Sequence, residues 1–266
     1  MLLTVDIGNT NMVFGIFNGE DLLGSFRFST NSTATSDEVG VMAVAYFEHF
    51  GYRPSDVKAC VIASVVPQVM HSVTSAIIKY FGVAPLVVDT DIETGIEMDP
   101  RCTRSSKLGT DRSVDCIAAL KKYGGPFVIL DFGTATTIDA IGPDGKYLGG
   151  TIGPGVRVGL DALVSRTAML PRVELQMPET LLGRSTVEQI QAGVVGGYVG
   201  TIEYLVDRVI KEMDCGPVKV IATGGLAKMI SQYTDRIQIV DSSLTLDGLR
   251  YIYEANRDAK PIEIKD

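Results

Sequence analysis

Three aspartates carry the chemical interest of this chain. Asp6 ends an apolar run in LTVDIGNTN, Asp131 ends another in VILDFGTAT, and Asp111 sits in GTDR ahead of an amphipathic stretch. After Asp6, Gly8 lets the backbone approach a ligand closely, and successive N–H groups with Asn9, Thr10 and Asn11 can cradle phosphate oxygens. Two anions repel, so Asp6 would reach phosphate only through a magnesium ion or its water shell. After Asp131, Thr134 can donate to a phosphate while the carboxylate offers hard oxygen to a metal or monovalent cation. A third element, ATGG at Ala222–Gly225, places Gly224 and Gly225 after an apolar run, where a flat ligand such as adenine could lie against the backbone. Asp111 at a helix start lies where negative charge is favoured, and such a carboxylate can accept a hydroxyl's proton during phosphoryl transfer. Arg112 beside it can hold a substrate carboxylate as a planar fork.

Each element also has a purely structural reading. An Asp-Gly turn can be an Asx-type turn at a hairpin entrance, a Gly-Gly pair a helix start, Asp111 an N-cap and Arg112 a surface ion-pair residue. Repetition weighs against the bland reading of the turns. Leu3–Gly24 returns at Val128–Gly150, with Asp6 falling on Asp131, Gly8 on Gly133, Ile16 on Ile141, Leu23 on Leu148 and Gly24 on Gly149, a gapless offset of 125 residues. Each copy reads as a strand ending in Asp, a turn, an alternating second strand and a tight hairpin. Two such units predict two similar half-molecules enclosing a cleft suited to a nucleotide's phosphates and their cation.

The elements that must position these residues follow from periodicity. Thr35 and Glu38 have capping-box spacing and open a helix carrying Val39, Met42, Ala43, Tyr46, Phe47 and Phe50, preceded by a polar stretch from Ser25. Ala59–Val66 is a buried strand closed by Pro67, Gln68–Phe81 an amphipathic helix and Leu86–Asp89 a short strand. Thr90–Leu108 is polar and irregular. A helix runs from Asp111 to Lys122, and Gly124–Pro126 ends it, which predicts a boundary between domains 1–123 and 124–266. Beyond the second hairpin come a Gly-rich turn at Gly149–Gly155, a helix through Leu160 and Leu163, and a loop with Pro171 and Pro178. A second capping box at Ser185 and Glu188 opens a long helix through Val195, Tyr198, Ile202, Leu205 and Val209. Val218–Ala222 is a buried strand, and a short strand near Ile239 and a helix around Leu246–Tyr253 finish an α/β chain.

At 266 residues and 45% hydrophobic composition the chain can bury a substantial core. A net charge of −8 argues against nucleic acid as a partner. Cys60, Cys102, Cys116 and Cys215 lack C-x-x-C spacing, and with only His49 and His71 beside them a zinc site is disfavoured; Cys60 and Cys116 read as core residues. No basic leader or long apolar run is present, so the expectation is a cytoplasmic protein without membrane attachment. There is no G-x-S-x-G and no Walker motif, which disfavours serine-hydrolase and P-loop chemistry.

The repeated Asp-Gly turns with a later Gly-Gly resemble the acetate kinase, sugar kinase, Hsp70 and actin superfamily, with its two ribonuclease-H-like, actin-like ATPase halves. The full series is narrower: DIGNTN, SVVP, GTDR, DFGTATT, GGTIGPG, RTAMLP, GRST and ATGG followed by LTLDGL resembles a type III pantothenate kinase. The resemblance implies an α/β fold of two duplicated halves and ATP-dependent phosphorylation of pantothenate's primary hydroxyl, the first step of coenzyme A synthesis. It implies that Asp6, Ile7, Gly8, Asn9, Thr10, Asn11, Met12 and Val13 bind ATP phosphates, with Thr134, Gly224 and Gly225 also at the nucleotide. Asp131 would hold a monovalent cation, K+ or NH4+, and Asp6 would face Mg2+ through water. Gly109, Thr110, Asp111 and Arg112 would hold pantothenate, with Asp111 as proton acceptor and Thr186 as a further contact. A homodimer built on the long second-half helix is also implied. Family members typically carry a Tyr before the GTDR position, whereas Gly95–Leu108 holds no aromatic residue, and Ser185 stands where Asn is commoner. Alternatives are a kinase of another small hydroxy acid and a non-catalytic nucleotide-binding regulator.

Overall fold

The computed structural model describes residues 1–88, 92, 95–102 and 108–257. Among these residues, ten strands form two five-stranded sheets of the same order. The first runs β3-β2-β1-β4-β5 and the second β8-β7-β6-β9-β10. In the first, β1 (Leu2–Ile7) pairs antiparallel with β2 (Asn11–Asn18), β2 antiparallel with β3 (Asp21–Ser29), and β1 parallel with β4 (Ala59–Ser64), which carries β5 (Leu86–Val87). In the second, β6 (Phe127–Phe132), β7 (Ala135–Ile141), β8 (Tyr147–Pro154), β9 (Lys219–Thr223) and β10 (Ile239–Val240) repeat every pairing and every sense. This is the duplicated α/β arrangement that the repeated hairpin predicts.

The third strand of each sheet departs from expectation. The polar stretch from Ser25 enters β3, because Phe26 and Phe28 alternate onto one face and stack on Phe14 at 4.8 and 5.1 Å. The Gly-rich segment 149–154 is not a turn: it is most of β8, paired with β7 from Ile141↔Tyr147 to Ala135↔Pro154. Glycine and a terminal proline are tolerated there because β8 is an edge strand.

The register shows what a gapless sequence offset conceals. Gly8 N–H closes the first turn on the Asn11 carbonyl, whereas Gly133 N–H closes the second on Ala135. The second turn is therefore one residue shorter, and residues of β7 correspond to those of β2 at an offset of 124. Ile16 pairs with Gly24 while Ala140 pairs with Gly149, so Ile16 answers to Ala140 and not to Ile141. Burial agrees: Phe14 and Ile16 lie in one core cluster, Ile138 and Ala140 in the other. The following hairpin restores the count. Asn18↔Asp21 leaves two loop residues, with Gly19 at φ 61° as in a type II′ turn. Gly142 N–H to Lys146 leaves three, with Gly145 at φ 81°. Leu23 and Leu148, an offset of 125, are then skipped alike in the pairing as β-bulges.

Two compact units enclose these sheets. The first holds residues up to Gly95, the start of α3 (Thr110–Tyr123) through Ala118, and the chain from Ser243 onward; the second holds 96–102 and Ala119–Ser242. A split at 123/124 would place the last helix, α8 (Leu244–Ala255), with the second unit. It packs instead on β1 and β4 of the first, where Gly15 of β2 admits Leu246: a Cβ at Gly15 would lie 3.0 Å from Leu246 Cδ1. The first core joins Leu3, Val5, Phe14 and Ile62 to α1 (Ser36–His49) and α2 (Met70–Phe81). The second joins Val128, Leu130 and Ile138 to Val199, Ile202 and Val206.

Both capping boxes form. Thr35 accepts from Glu38 N–H at the start of α1, and Ser185 accepts from Glu188 N–H at the start of α5 (Thr186–Gln191). The expected long helix is α5 and α6 (Gly197–Met213) joined through a π-helical stretch at Ala192–Gly196. Helix α4 (Val156–Ser165) and the short α7 (Ala227–Ile230) complete the second unit. Cys60 and Cys116 are buried and form no disulfide. Among the described residues, no helix is long and apolar enough to cross a membrane.

Candidate active site

In the first unit, Asp6 is the penultimate residue of β1, half-buried between Val13 on one side and Ala63 on the other. The turn beyond it is pinned by a residue that sequence reasoning overlooked. Thr30, just past β3, donates its hydroxyl to the Gly8 carbonyl at 2.7 Å and its N–H to the Thr10 carbonyl at 2.9 Å. No motif marks it; its role appears only once β3 is seen as a strand. Asn9 and Thr10 are exposed at the tip. Ile7 and Met12 are core side chains, 0% and 1% exposed, so only their backbone could meet a ligand. Even there, Gly8 N–H and the Ile7 carbonyl are engaged, by Asn11 and by Val65 N–H respectively.

Helix α3 begins one residue before Asp111. Ser113 N–H donates to the Gly109 carbonyl, the first bond of the helix, so Gly109 is the capping position and Asp111 lies inside the first turn. The N-cap reading of Asp111 is thereby corrected. Its carboxylate instead accepts the Arg112 N–H at 2.9 Å, and its Oδ1 lies 2.7 Å from where a Cβ on Gly109 would stand. A larger residue at 109 would displace that carboxylate. Gly109, Thr110, Asp111 and Arg112 are all half-buried. Residues 103–107, within the segment that lacks the expected aromatic, lie outside the described residues, as does Asp89 at the end of the predicted fifth strand.

In the second unit, Asp131 pairs with Thr137 and Thr223 across its two neighbours. Gly224 follows Thr223 at φ 88°, and a Cβ there would collide with Asp131 Oδ1 and lie 2.7 Å from Phe132 N. The glycine is required twice, by its backbone and by its neighbour. Gly155, which caps α4, presses on the turn itself: its N–H donates to the Thr134 carbonyl at 3.0 Å, and a Cβ would stand 2.6 Å from that oxygen. Thr134 and Gly225 are exposed. Tyr198 of α6 shares a short hydrogen bond with Thr136, four residues past Phe132. Burial, reinforced by the negative charge of Asp131, pushes the Tyr198 phenol up to about 12, although the Thr136 bond works in the opposite direction.

Thr186 is the first residue of α5 and lines a surface hollow of about 340 Å³ with Leu163, Leu170, Gln189 and Ile190. A second hollow of about 560 Å³ lies beside it, lined by Leu181, Leu182 and Gly196 among others. Neither hollow is lined by a residue of the Asp131 turn. The structure thus brings Gly224 against Asp131, with Thr134 in the same turn, and places Thr186 at the rim of the first hollow. Among the described residues, no three His, Cys, Asp or Glu side chains converge as a metal-binding group.

A family model described as type III pantothenate kinase matches residues 2–208. Among solved structures, a Campylobacter jejuni protein assigned to the Baf family of transcriptional activators is 21% identical, covering 96% of this chain and 99% of its own at a TM-score of 0.58. The activator of 2-hydroxyisocaproyl-CoA dehydratase from Clostridium difficile, with bound ADPNP, is 14% identical with 99% of both chains covered and a TM-score of 0.52. Component A of the Acidaminococcus fermentans (R)-2-hydroxyglutaryl-CoA dehydratase is 13% identical, covering 97% of this chain and 99% of its own at 0.54. At these identities the likeness is one of fold: two actin-like ATPase halves.

Proposed function

The chain belongs to the type III pantothenate kinase family, and from that premise we propose how its residues divide the work of an ATP-dependent pantothenate kinase. Asp111 is the proton acceptor. As the primary hydroxyl oxygen of pantothenate bonds to the γ-phosphorus of ATP, the bond from that phosphorus to the bridging oxygen breaks, ADP leaves, and the hydroxyl proton passes to the Asp111 carboxylate. Gly109, Thr110 and Arg112 hold pantothenate, with the guanidinium as a fork for its carboxylate, and Thr186 is a further contact. The observation that carries this reading is the setting of Asp111: a half-buried carboxylate in the first turn of α3, fixed by the Arg112 N–H and crowded against Gly109.

The turn from Asp6 to Val13 is assigned to ATP phosphates, its donors being the exposed tip residues Asn9 and Thr10 with Asn11. Thr134, Gly224 and Gly225 are assigned to the nucleotide as well. Magnesium takes one or two carboxylates and completes its shell with phosphate oxygens and water. Single carboxylates without a protein cage fit that habit, so Asp6 would face Mg2+ and Asp131 a monovalent cation, K+ or NH4+. Such ions, when bound, neutralise charge on the phosphates. A homodimer is supported by apolar side chains exposed on the second unit, where Met169 is 91%, Leu182 83% and Leu181 67% exposed. A cytoplasmic location suits a kinase of this family.

A coupled ADP-release assay with pantothenate, run with and without K+, tests the whole. Pantothenate should lead a panel of small hydroxy acids, and K+ should raise turnover. Asp111→Asn should lower kcat by roughly 100-fold or more while its urea midpoint stays at the wild-type value. Unchanged turnover in that variant would remove Asp111 as the base, and a different leading substrate would favour the related-kinase reading.

A further inference from the structure

Helix α8 takes no part in the roles assigned above, yet its packing bears directly on them. Glycine in the middle of a helix costs about 1 kcal/mol relative to alanine, and Gly248 stands mid-helix and buried. A Cβ at Gly248 would run into the Val114 carbonyl oxygen and lie 2.7 Å from Val114 Cγ1. Here α8 meets the Val114 backbone and side chain of α3 with no side chain of its own at the contact. Nearly one turn earlier, the Thr245 hydroxyl donates to Asp115 Oδ1 at 2.7 Å, and Asp115 is 4% exposed. Val114 and Asp115 are three and four residues beyond Asp111, so all three lie along one side of α3.

The same helix is fastened to the sheet that carries Asp6. Leu244 and Leu249 are fully buried, Leu246 occupies the space that Gly15 leaves open, and α8 packs on β1 and β4. Farther along the helix, Arg250 is 4% exposed, pairs with Glu254 at 2.8 Å and lies over the Tyr251 ring at 4.3 Å. Helix α8 therefore touches both β1, whose penultimate residue is Asp6, and the second turn of α3, whose second residue is Asp111, all within the first unit.

We propose that α8 is the seat that sets Asp111 against the Asp6 turn, with Thr245 and Gly248 as positioning residues for the phosphoryl transfer. This rests on the assignment of Asp111 as proton acceptor. Gly248→Ala must push α3 away at Val114, and misplacement of a reacting group by about 1 Å lowers turnover by about 100-fold. Thr245→Val removes the hydroxyl that holds Asp115, while Thr245→Ser keeps it.

The test is steady-state kinetics with ATP, pantothenate and K+, joined to amide hydrogen exchange across 110–115. Gly248→Ala should lower kcat by about 100-fold and Thr245→Val by about 10-fold, with KM for ATP within about two-fold of wild type and exchange at 110–115 accelerated. Thr245→Ser should restore kcat to within about two-fold. Ile77→Val, which removes a buried methylene from α2, serves as the destabilised control and should leave kcat unchanged. The proposal is overturned if Thr245→Val keeps wild-type kcat, if serine fails to rescue, or if Ile77→Val lowers kcat as much. Should Gly248→Ala fail to fold, the valine and serine pair decides alone. Wild-type protein inactive on pantothenate would sink the kinase reading instead; exchange at 110–115 would then decide the seat, and unchanged exchange would reject it.

Discussion

The two Asp-headed hairpins share strand order, pairing sense and a bulged leucine, yet what surrounds their acids differs. Asp131 has Gly224 pressed onto its carboxylate from the neighbouring parallel strand, at the place where Ser64 stands beside Asp6. Ser64 is free to keep a side chain and uses it locally, accepting the Val66 N–H at 3.0 Å. On the other neighbour, Gly15 answers to Asp139: the glycine makes room for α8, while the acid is buried and accepts the Tyr147 hydroxyl at 3.0 Å. Duplication preserved the hydrogen-bonded frame, where any change breaks a ladder. It left free the positions that decide which helix lies on the sheet and how closely backbone approaches the acid.

Exchanging the glycine at that contrast tests it most severely. Gly224→Ala combines a left-handed backbone with overlap against Asp131 and Phe132, and should cost about 3 kcal/mol or more. Ser64→Ala, at the equivalent position of the first unit, removes one hydrogen-bond acceptor and should cost about 1 kcal/mol. Urea unfolding of the two variants gives the comparison directly. Equal losses would mean that the crowding of Asp131 by Gly224 has no energetic weight.

Much of this frame was legible in the sequence, because strand and helix faces are written in period two and period 3.6. Both capping boxes, the buried part of the α1 face (Val39, Ala43 and Phe47, though the predicted Met42 and Tyr46 are exposed), and the strand expected at Val218–Ala222, which runs Lys219–Thr223, could be read from residue types alone. The shifted register could not. In the second unit, one residue lost from the Asp131 turn and one gained in the hairpin at Gly142–Lys146 cancel, so Ile141 falls on Ile16 in the sequence while Ala140 takes its place in the sheet. The strands β3 and β8 were hidden by polar and glycine residues, which edge positions tolerate. The docking of α8 was hidden because it depends on Gly15 and Gly248, whose meaning lies in what approaches them. For the same reason Thr30, with no motif around it, gave no sign that it pins the Asp6 turn.

The two capping boxes offer a milder comparison, since their geometry matches and their helices do not. Helix α1 buries Val39, Gly40, Ala43 and Phe47, whereas α5 buries Ile190 alone. Thr35→Ala should therefore lower global stability by about 1 kcal/mol. Ser185→Ala should shift the global urea midpoint by no more than about 0.5 kcal/mol, appearing instead as faster amide exchange in Thr186–Gln191, a local opening. A global loss from Ser185→Ala equal to that from Thr35→Ala would show that α5 unfolds only with the whole protein.

A pH-dependent effect that narrows towards zero in alkali lies at Tyr198, and it separates the units. Its partner Thr136 answers to Met12 of the first unit, a core methionine 1% exposed, so a hydrogen bond to a titrating phenol occupies one hairpin where a buried methionine occupies the other. The phenol is raised from its ordinary 10.0 to about 12, chiefly by burial. Between those values the unfolded chain has released the Tyr198 proton and the folded chain retains it. Stability from this group is thus fully present below pH 10 and falls as pH rises towards about 12. Tyr198→Phe removes both the hydrogen bond and the titration. The variant should be weaker than wild type by about 1 kcal/mol at neutral pH, and the gap should narrow as alkali erodes the wild type alone. Urea midpoints of both proteins across this range, read as a difference, cancel the other tyrosines and lysines that titrate there. A difference that stays constant to about pH 12 would show that the folded phenol ionises as the unfolded one does, and that the Asp131 hairpin places no electrostatic demand on α6.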